Sequence, residues 1–276
     1  LDGFILLSGG VALLYGEIPE MYSFVMTAVG TAIGGILTLM LCRNPHDDNL
    51  SSKDGFLLVT ISWIAASTAG ALPFYLSGAI PDFTDAFFET LSGFSTTGAS
   101  ILTSIESLPN SILFWRSLTH WLGGMGIVVL AVAILPLLGI GGMQLMKAEA
   151  PGPTVDKITP RIAETAKYLW FIYMGFTVVE TTLLMFGGMD FFNALTHTFG
   201  TVATGGFSPM NASVKHFDSA YIDWVITVFM LLAGMNFTLH FRLLTGSFRS
   251  LWYNTEIKLY ALIAVASTVL IALSLK

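Results

Sequence analysis

The chain has a single cysteine, Cys42, which excludes an intrachain disulfide and a cluster of thiolate metal ligands. Charge is also scarce: Asp, Glu, Lys and Arg make up 11% of the residues, and the net charge is −6. The few bases are spread among separate stretches, so no basic face for nucleic acid can be assembled. A glycine-rich phosphate loop and a Gly-x-Ser-x-Gly nucleophile turn are both missing. What is there is apolar. Hydrophobic residues make up 54% of the chain and the mean hydropathy is +0.74, outside the composition of soluble domains. The chain reads as an all-α integral membrane protein.

Apolar runs of roughly 20 residues, enough to cross a hydrocarbon layer of about 30 Å as helices, lie at 22–42, 56–79, 112–138, 168–187, 221–241 and 257–275. A shorter run, 3–14, has neither a basic leader nor an initiator Met and reads as a clipped membrane helix rather than a secretory signal. The stretches 43–54 (Arg43, Lys53), 139–167 (Lys147, Lys157, Arg161, Lys167) and 242–258 (Arg242, Arg249, Lys258) hold most of the bases. With alternating spans these stretches share one side, which the positive-inside rule makes cytoplasmic. The other side carries Glu17, Glu20, Asp82, Asp85, Glu89, Glu106, Asp190, Asp218 and Asp223 against Arg116, Lys215 and Lys276. Such a bias concentrates cations near a pore mouth, with Asp82, Glu89 and Asp190 the acids to consider, or it is an ordinary solvated rim.

This topology requires 82–103 and 189–208 to enter and leave by the external face, since neither is long and apolar enough to span. Each opens on an acid, Asp82 after Pro81 and Asp190, as expected for a short helix whose partly positive N-terminus is offset by carboxylate. Each then runs into a related stretch, Ser95-Thr96-Thr97-Gly98-Ala99-Ser100 or Val202-Ala203-Thr204-Gly205-Gly206-Phe207. These bear no nucleophilic or metal-ligating cluster, but they offer a row of backbone carbonyls that can replace water around a cation. A shift of 107 superposes Gly93 on Gly200, Thr97 on Thr204 and Gly98 on Gly205, and suggests two units of one pore related by rotation. The plainer alternative is a pair of glycine turns between packed helices.

Four stretches carry a resemblance. They are Phe87-Phe88-Glu89-Thr90-Leu91-Ser92-Gly93-Phe94-Ser95-Thr96-Thr97-Gly98-Ala99, Phe114-Trp115-Arg116-Ser117-Leu118-Thr119-His120-Trp121-Leu122-Gly123-Gly124-Met125-Gly126, Lys147-Ala148-Glu149-Ala150-Pro151-Gly152-Pro153 and Val202-Ala203-Thr204-Gly205-Gly206-Phe207-Ser208. In this order they resemble the Trk/Ktr/HKT superfamily of potassium transporters, and within it the bacterial TrkH/TrkG potassium-uptake membrane subunits. The resemblance implies four helix–pore–helix repeats around one pseudo-fourfold filter, often preceded by two extra helices, in a homodimer. On that pattern 1–54 is the extra pair with a cytoplasmic loop, 55–140 the first repeat and 141–167 a cytoplasmic connector. The second repeat is 168–249, and 250–276 holds the first helix of an incomplete third, so the chain reads as an amino-terminal portion.

The resemblance further implies potassium uptake across the bacterial inner membrane, no enzymatic activity, and a cytoplasmic nucleotide-binding regulatory partner of the TrkA type facing the connector. It involves no organic cofactor. A bare cation entering low dielectric costs on the order of 20 kcal/mol, so permeation needs substitute oxygens. The carbonyls of Thr96, Thr97, Gly98, Ala203, Thr204 and Gly205 are the expected potassium ligands. Glycine at both Gly98 and Gly205 favours potassium over sodium by the same resemblance. Sodium- or proton-coupled cation transport by the same superfamily remains the alternative function, ahead of a non-conducting membrane subunit.

Other residues admit competing readings. His120 and His240 lie in or beside spans, but at opposite depths, which argues against haem axial ligands and for packed histidines. Ser95, Ser100, Asp82 and His197 would be the parts of an intramembrane hydrolase, without a nucleophile motif to support it. Glu180 lies within a span near its outer end, where it could snorkel to water, and a structural or electrostatic role is favoured over a proton relay. Asn236 is expected to bond across helices. The small residues Gly30, Gly34 and Gly35, and the set Gly123-Gly124-Met125-Gly126, are expected to allow close helix packing.

Overall fold

The computed structural model describes residues 1–41, 52–134, 162–235, 237–244 and 254–275, and every regular element among them is helical. In chain order these are α1 (Asp2–Tyr15), α2 (Ile18–Leu41), α3 (Ser52–Leu76), α4 (Phe83–Phe94) and α5 (Asn110–Ile134). They continue as α6 (Ile162–Phe186), α7 (Phe191–Val202), a 3₁₀ turn (Ser213–Phe217), α8 (Ala220–Ala233), α9 (Phe237–Leu244) and α10 (Thr255–Ser274). Stretches of α2, α3, α6 and α10 are long and apolar enough to cross a membrane.

The two short helices begin as their acids dictate. The Asp82 carboxylate accepts from the Thr84 and Asp85 N–H groups at 2.8 and 3.1 Å, and Asp190 accepts from the Asn193 N–H at 3.1 Å. Both helices are 12 residues long. The backbone N–H groups of Asp85 and Thr84 also hold the exposed Asp82 carboxyl below its ordinary range.

Helix α5 is the hub, packing against α1, α4, α6 and α7. Its N-terminal N–H groups at Asn110 and Ser111 donate to the Glu17 carboxylate at 2.7 and 2.9 Å, so the turn between α1 and α2 caps it. Trp115 is fully buried and donates to the Gly70 carbonyl of α3 at 2.9 Å. Around it sit Phe24 and Phe94, each edge-on at 6.3 and 6.4 Å between centroids, in the main apolar core.

The expected continuous span at 221–241 is broken, because Gly234 ends α8 and the chain resumes as α9 at Phe237. At that break Leu231 O accepts from Tyr260 Oη at 3.2 Å, and Leu232 O, which takes the Met235 N–H at 3.2 Å, also bonds His240 Nε2 at 2.9 Å. Asn236, expected to bond across helices, lies outside the described residues, as do Cys42 and the connector up to Arg161. Helix α5 has its own break, at Gly126, where φ is 68°.

The glycine expectations divide. A methyl on Gly123 would run into the Phe94 carbonyl, and one on Gly124 would lie 2.6 Å from the Ala203 Cα. Helix α5 can touch the ends of both short helices only because these positions lack side chains. Gly30, Gly34 and Gly35, by contrast, have nothing within 4 Å of where a Cβ would stand, so the close packing expected there does not occur among the described residues.

Candidate functional site

Each short helix ends in the same local fold. Helix α4 closes with Thr96 N–H on Gly93 O and Thr97 N–H on Ser92 O; α7 closes with Thr204 N–H on Thr201 O and Gly205 N–H on Gly200 O. Thr96 and Thr204 are left-handed, at φ 54° and 57°, and Gly98 and Gly206 follow at 76° and 84°. A β-branched residue in that region is strained by about 1–2 kcal/mol, and here it recurs at matching places.

These pairs fix the spacing of the two units at 108 residues, not the 107 suggested by matching Thr97-Gly98 to Thr204-Gly205. Gly206, not Gly205, is therefore the counterpart of Gly98, and Ala203 is the counterpart of Ser95. The helix breaks at Gly126 and Gly234 keep the same spacing. So do the side chains that hold the loops. Ser100 Oγ donates to Glu89 Oε1 at 2.8 Å and accepts from the Leu102 N–H at 3.1 Å; Ser208 Oγ bonds His197 Nε2 at 3.0 Å and accepts from the Met210 N–H at 3.0 Å.

The two loops meet. A methyl on Gly98 would strike the carbonyl oxygen of Gly205, and one on Gly205 would lie 2.6 Å from His120 Cε1. Among the described residues, no protein group donates a hydrogen bond to the carbonyls of Thr96, Thr97, Gly98, Thr204, Gly205 or Gly206. Ala203 is 2% exposed and packs against α5, so of the six expected ligands it is the one most committed to packing. Beyond the loops the chains clasp reciprocally: the Ile105 N–H donates to Asn211 Oδ1, and the Asn211 N–H to Glu106 Oε1, both at 2.9 Å.

Of the three expected mouth acids, Asp82 and Asp190 are exposed at the helix starts. Glu89 is not a free carboxylate. It is 0% exposed, receives Arg116 Nε at 2.7 Å and the Ile101 N–H at 3.0 Å, and is consumed in holding the first loop. Arg116, read from sequence as an external base, is 2% exposed for the same reason. Phe207 is buried against it, with the guanidinium carbon 3.6 Å from the ring centroid, and His120 stacks on Phe207 at 3.9 Å.

His120 also accepts the Phe207 N–H at Nδ1 over 3.2 Å, consistent with a packed histidine. The Ser208–His197 pair clips the second loop: the serine hydroxyl also accepts the Met210 N–H, and His197 Nδ1 bonds the Asn193 carbonyl at 2.8 Å. Glu180 does not snorkel: it is 0% exposed, and among the described residues neither carboxyl oxygen has a hydrogen-bond partner. Among the described residues no group of three or more His, Cys, Asp or Glu is placed to hold a metal.

Comparison with known proteins shows the family of the chain. Residues 23–276 match the family model TrkH, described as a cation transport protein. The chain is 46% identical over 267 residues to the Trk system potassium uptake protein TrkH of Escherichia coli K12, covering 94% of this chain and 54% of that protein. It is 36% identical over 258 residues to TrkG of the same organism, covering 92% of this chain and 53% of the relative. The crystal structure of the potassium transporter TrkH from Vibrio parahaemolyticus superposes with a TM-score of 0.79 at 40% identity, over 96% of this chain and 54% of that one. The chain thus spans about half the length of the relatives it matches. With a family model matched over nearly its whole length, the chain belongs to the TrkH family of cation transport proteins.

Proposed function

We propose that this chain supplies two of the loops of a potassium-selective pathway for uptake across the bacterial inner membrane. The ion sheds water onto the backbone carbonyls of Thr96, Thr97 and Gly98 from one loop and Thr204, Gly205 and Gly206 from the other. Ala203 stands at the inner end of the second run. The observation that carries this reading is the contact of Gly98 with the Gly205 carbonyl, which brings two runs of carbonyls without protein donors to one place. The C-termini of α4 and α7 face the same place, and their partial negative charge favours a cation there. Asp82 and Asp190, exposed at the opposite ends of those helices, raise the local cation concentration.

In the assembled transporter, meaning this chain together with the further length its relatives have, the remaining loops complete the ring. A second copy makes the dimer, and a nucleotide-binding TrkA-type subunit docks on the cytoplasmic connector. The domain boundaries at 54, 140, 167 and 249 follow from the same reading. Crystals of the assembled transporter soaked in thallium test it by anomalous scattering. A peak between Gly98 and Gly205 is expected; thallium elsewhere, with none at these loops, ends the reading. A parallel test is rubidium uptake against sodium competition in Gly98→Ser, where discrimination should fall.

A further inference from the structure

Arg116 touches both loops at once. From α5 its Nε donates to Glu89 Oε1 at 2.7 Å, and that carboxylate in turn holds the Ser100 hydroxyl and the Ile101 N–H of the first loop. Its Nη1 donates to the Ser208 carbonyl of the second loop at 3.0 Å, and its guanidinium lies 3.6 Å from the Phe207 ring centroid. Among the described residues it forms the one salt bridge, and both partners are fully or nearly fully buried, at 2% and 0% exposure.

A buried pair of this kind is a weak source of net stability, since desolvating two charges offsets most of their attraction. What it supplies is fixed geometry. The planar guanidinium fork sets the direction of two donors, which a point charge on a flexible stem cannot do. The counterpart of Glu89 in the second unit is His197, which holds Ser208 with no arginine of its own. The first unit's arginine thus serves both.

We propose that Arg116 is a positioning residue for ion discrimination: it fixes the separation of the two carbonyl runs by tying Glu89 of the first unit to Ser208 and Phe207 of the second. This rests on the proposed filter. The distance between Gly98 and Gly205 is the quantity a cation of given radius would sense, and Arg116 bridges the same two loops one layer behind it.

The test measures uptake of rubidium and sodium by the assembled transporter in proteoliposomes, for Arg116→Lys, Phe207→Leu and the parent. Lysine keeps a charge for Glu89 but loses the rigid fork whose separate nitrogens reach Glu89 and Ser208 at once, and the planar stack, whereas Phe207→Leu leaves the ion pair whole and removes the ring. In both variants the rubidium-to-sodium ratio is expected to fall by roughly tenfold, as loss of a charge-assisted hydrogen bond or stack would allow, while sodium uptake persists. An unchanged ratio in Phe207→Leu overturns the proposal, whether or not Arg116→Lys assembles. A fall in Phe207→Leu supports it even where Arg116→Lys yields no protein. A parent that does not discriminate between the ions fails the filter reading itself, separately from this one.

Discussion

The packing of His120 on the second loop can be tested by a double-mutant cycle. A methyl added at Gly205 would lie 2.6 to 2.7 Å from three atoms of the His120 ring, closer than any real Cβ contact, so either the loop or the ring must move. Gly205 does not have positive φ, so the substitution carries no left-handed strain and its cost is overpacking alone, about 1–3 kcal/mol. His120→Ala by itself removes the acceptor of the buried Phe207 N–H, at about 1–3 kcal/mol. In the double variant the methyl enters the space vacated by the imidazole, so the overpacking cost disappears. The two changes together should then be less damaging than their sum by about 1 kcal/mol or more, within the range found for residues in contact. Equilibrium denaturation of the assembled transporter in mixed micelles, with the four proteins run in parallel, reads this directly. Gly98→Ala serves as control, because its methyl strikes a main-chain carbonyl and truncating His120 opens no room for it. Costs that add to within about 0.5 kcal/mol would refute the packing of His120 on the second loop.

Three further outcomes are expected. Thr96→Gly and Thr204→Gly each relieve about 1–2 kcal/mol of left-handed strain against about 0.5–1 kcal/mol of added chain entropy, so melting temperatures should hold or rise while rubidium-over-sodium discrimination falls. Glu180→Leu removes a carboxyl whose oxygens have no partner among the described residues and should leave the protein equally or more stable by up to about 1–3 kcal/mol; a clear loss in thermal denaturation would contradict the burial described. Gly123→Ala should destabilise by about 1–3 kcal/mol, because α5 must withdraw from the Phe94 carbonyl, whereas Gly30→Ala should be neutral or slightly stabilising; the yield of folded, monodisperse protein in detergent separates the two.

The amino-acid sequence makes the helical architecture legible because apolar length and acidic helix starts are local signals. Asp82 and Asp190 cap the short helices as their chemistry requires. The register of the two units is off by one residue when a Thr-Gly pair is matched, because Gly205 and Gly206 are adjacent and the pair selects Gly205. A better signal lay farther out: Asp82 with Asp190, Ser100 with Ser208 and Gly126 with Gly234 all share the longer spacing. The burial of Glu89 and Arg116 was not legible, since their pairing joins α4 to α5 and neither residue carries a local pattern that distinguishes it from a rim charge. The break at Gly234 is hidden inside an apolar run whose composition is continuous, and the donors that Tyr260 and His240 supply to its carbonyls come from residues distant in the pattern.

The interruption of α5 at Gly126 has a mechanical consequence. The α5 residues that contact the two loops, Arg116, His120 and Gly124, all lie on the N-terminal side of it. A helix whose hydrogen-bond ladder is cut transmits bending poorly. On the proposed filter reading, a bend at Gly126 would move the C-terminal half of α5 without shifting the half that holds the two loops, so their spacing would be kept.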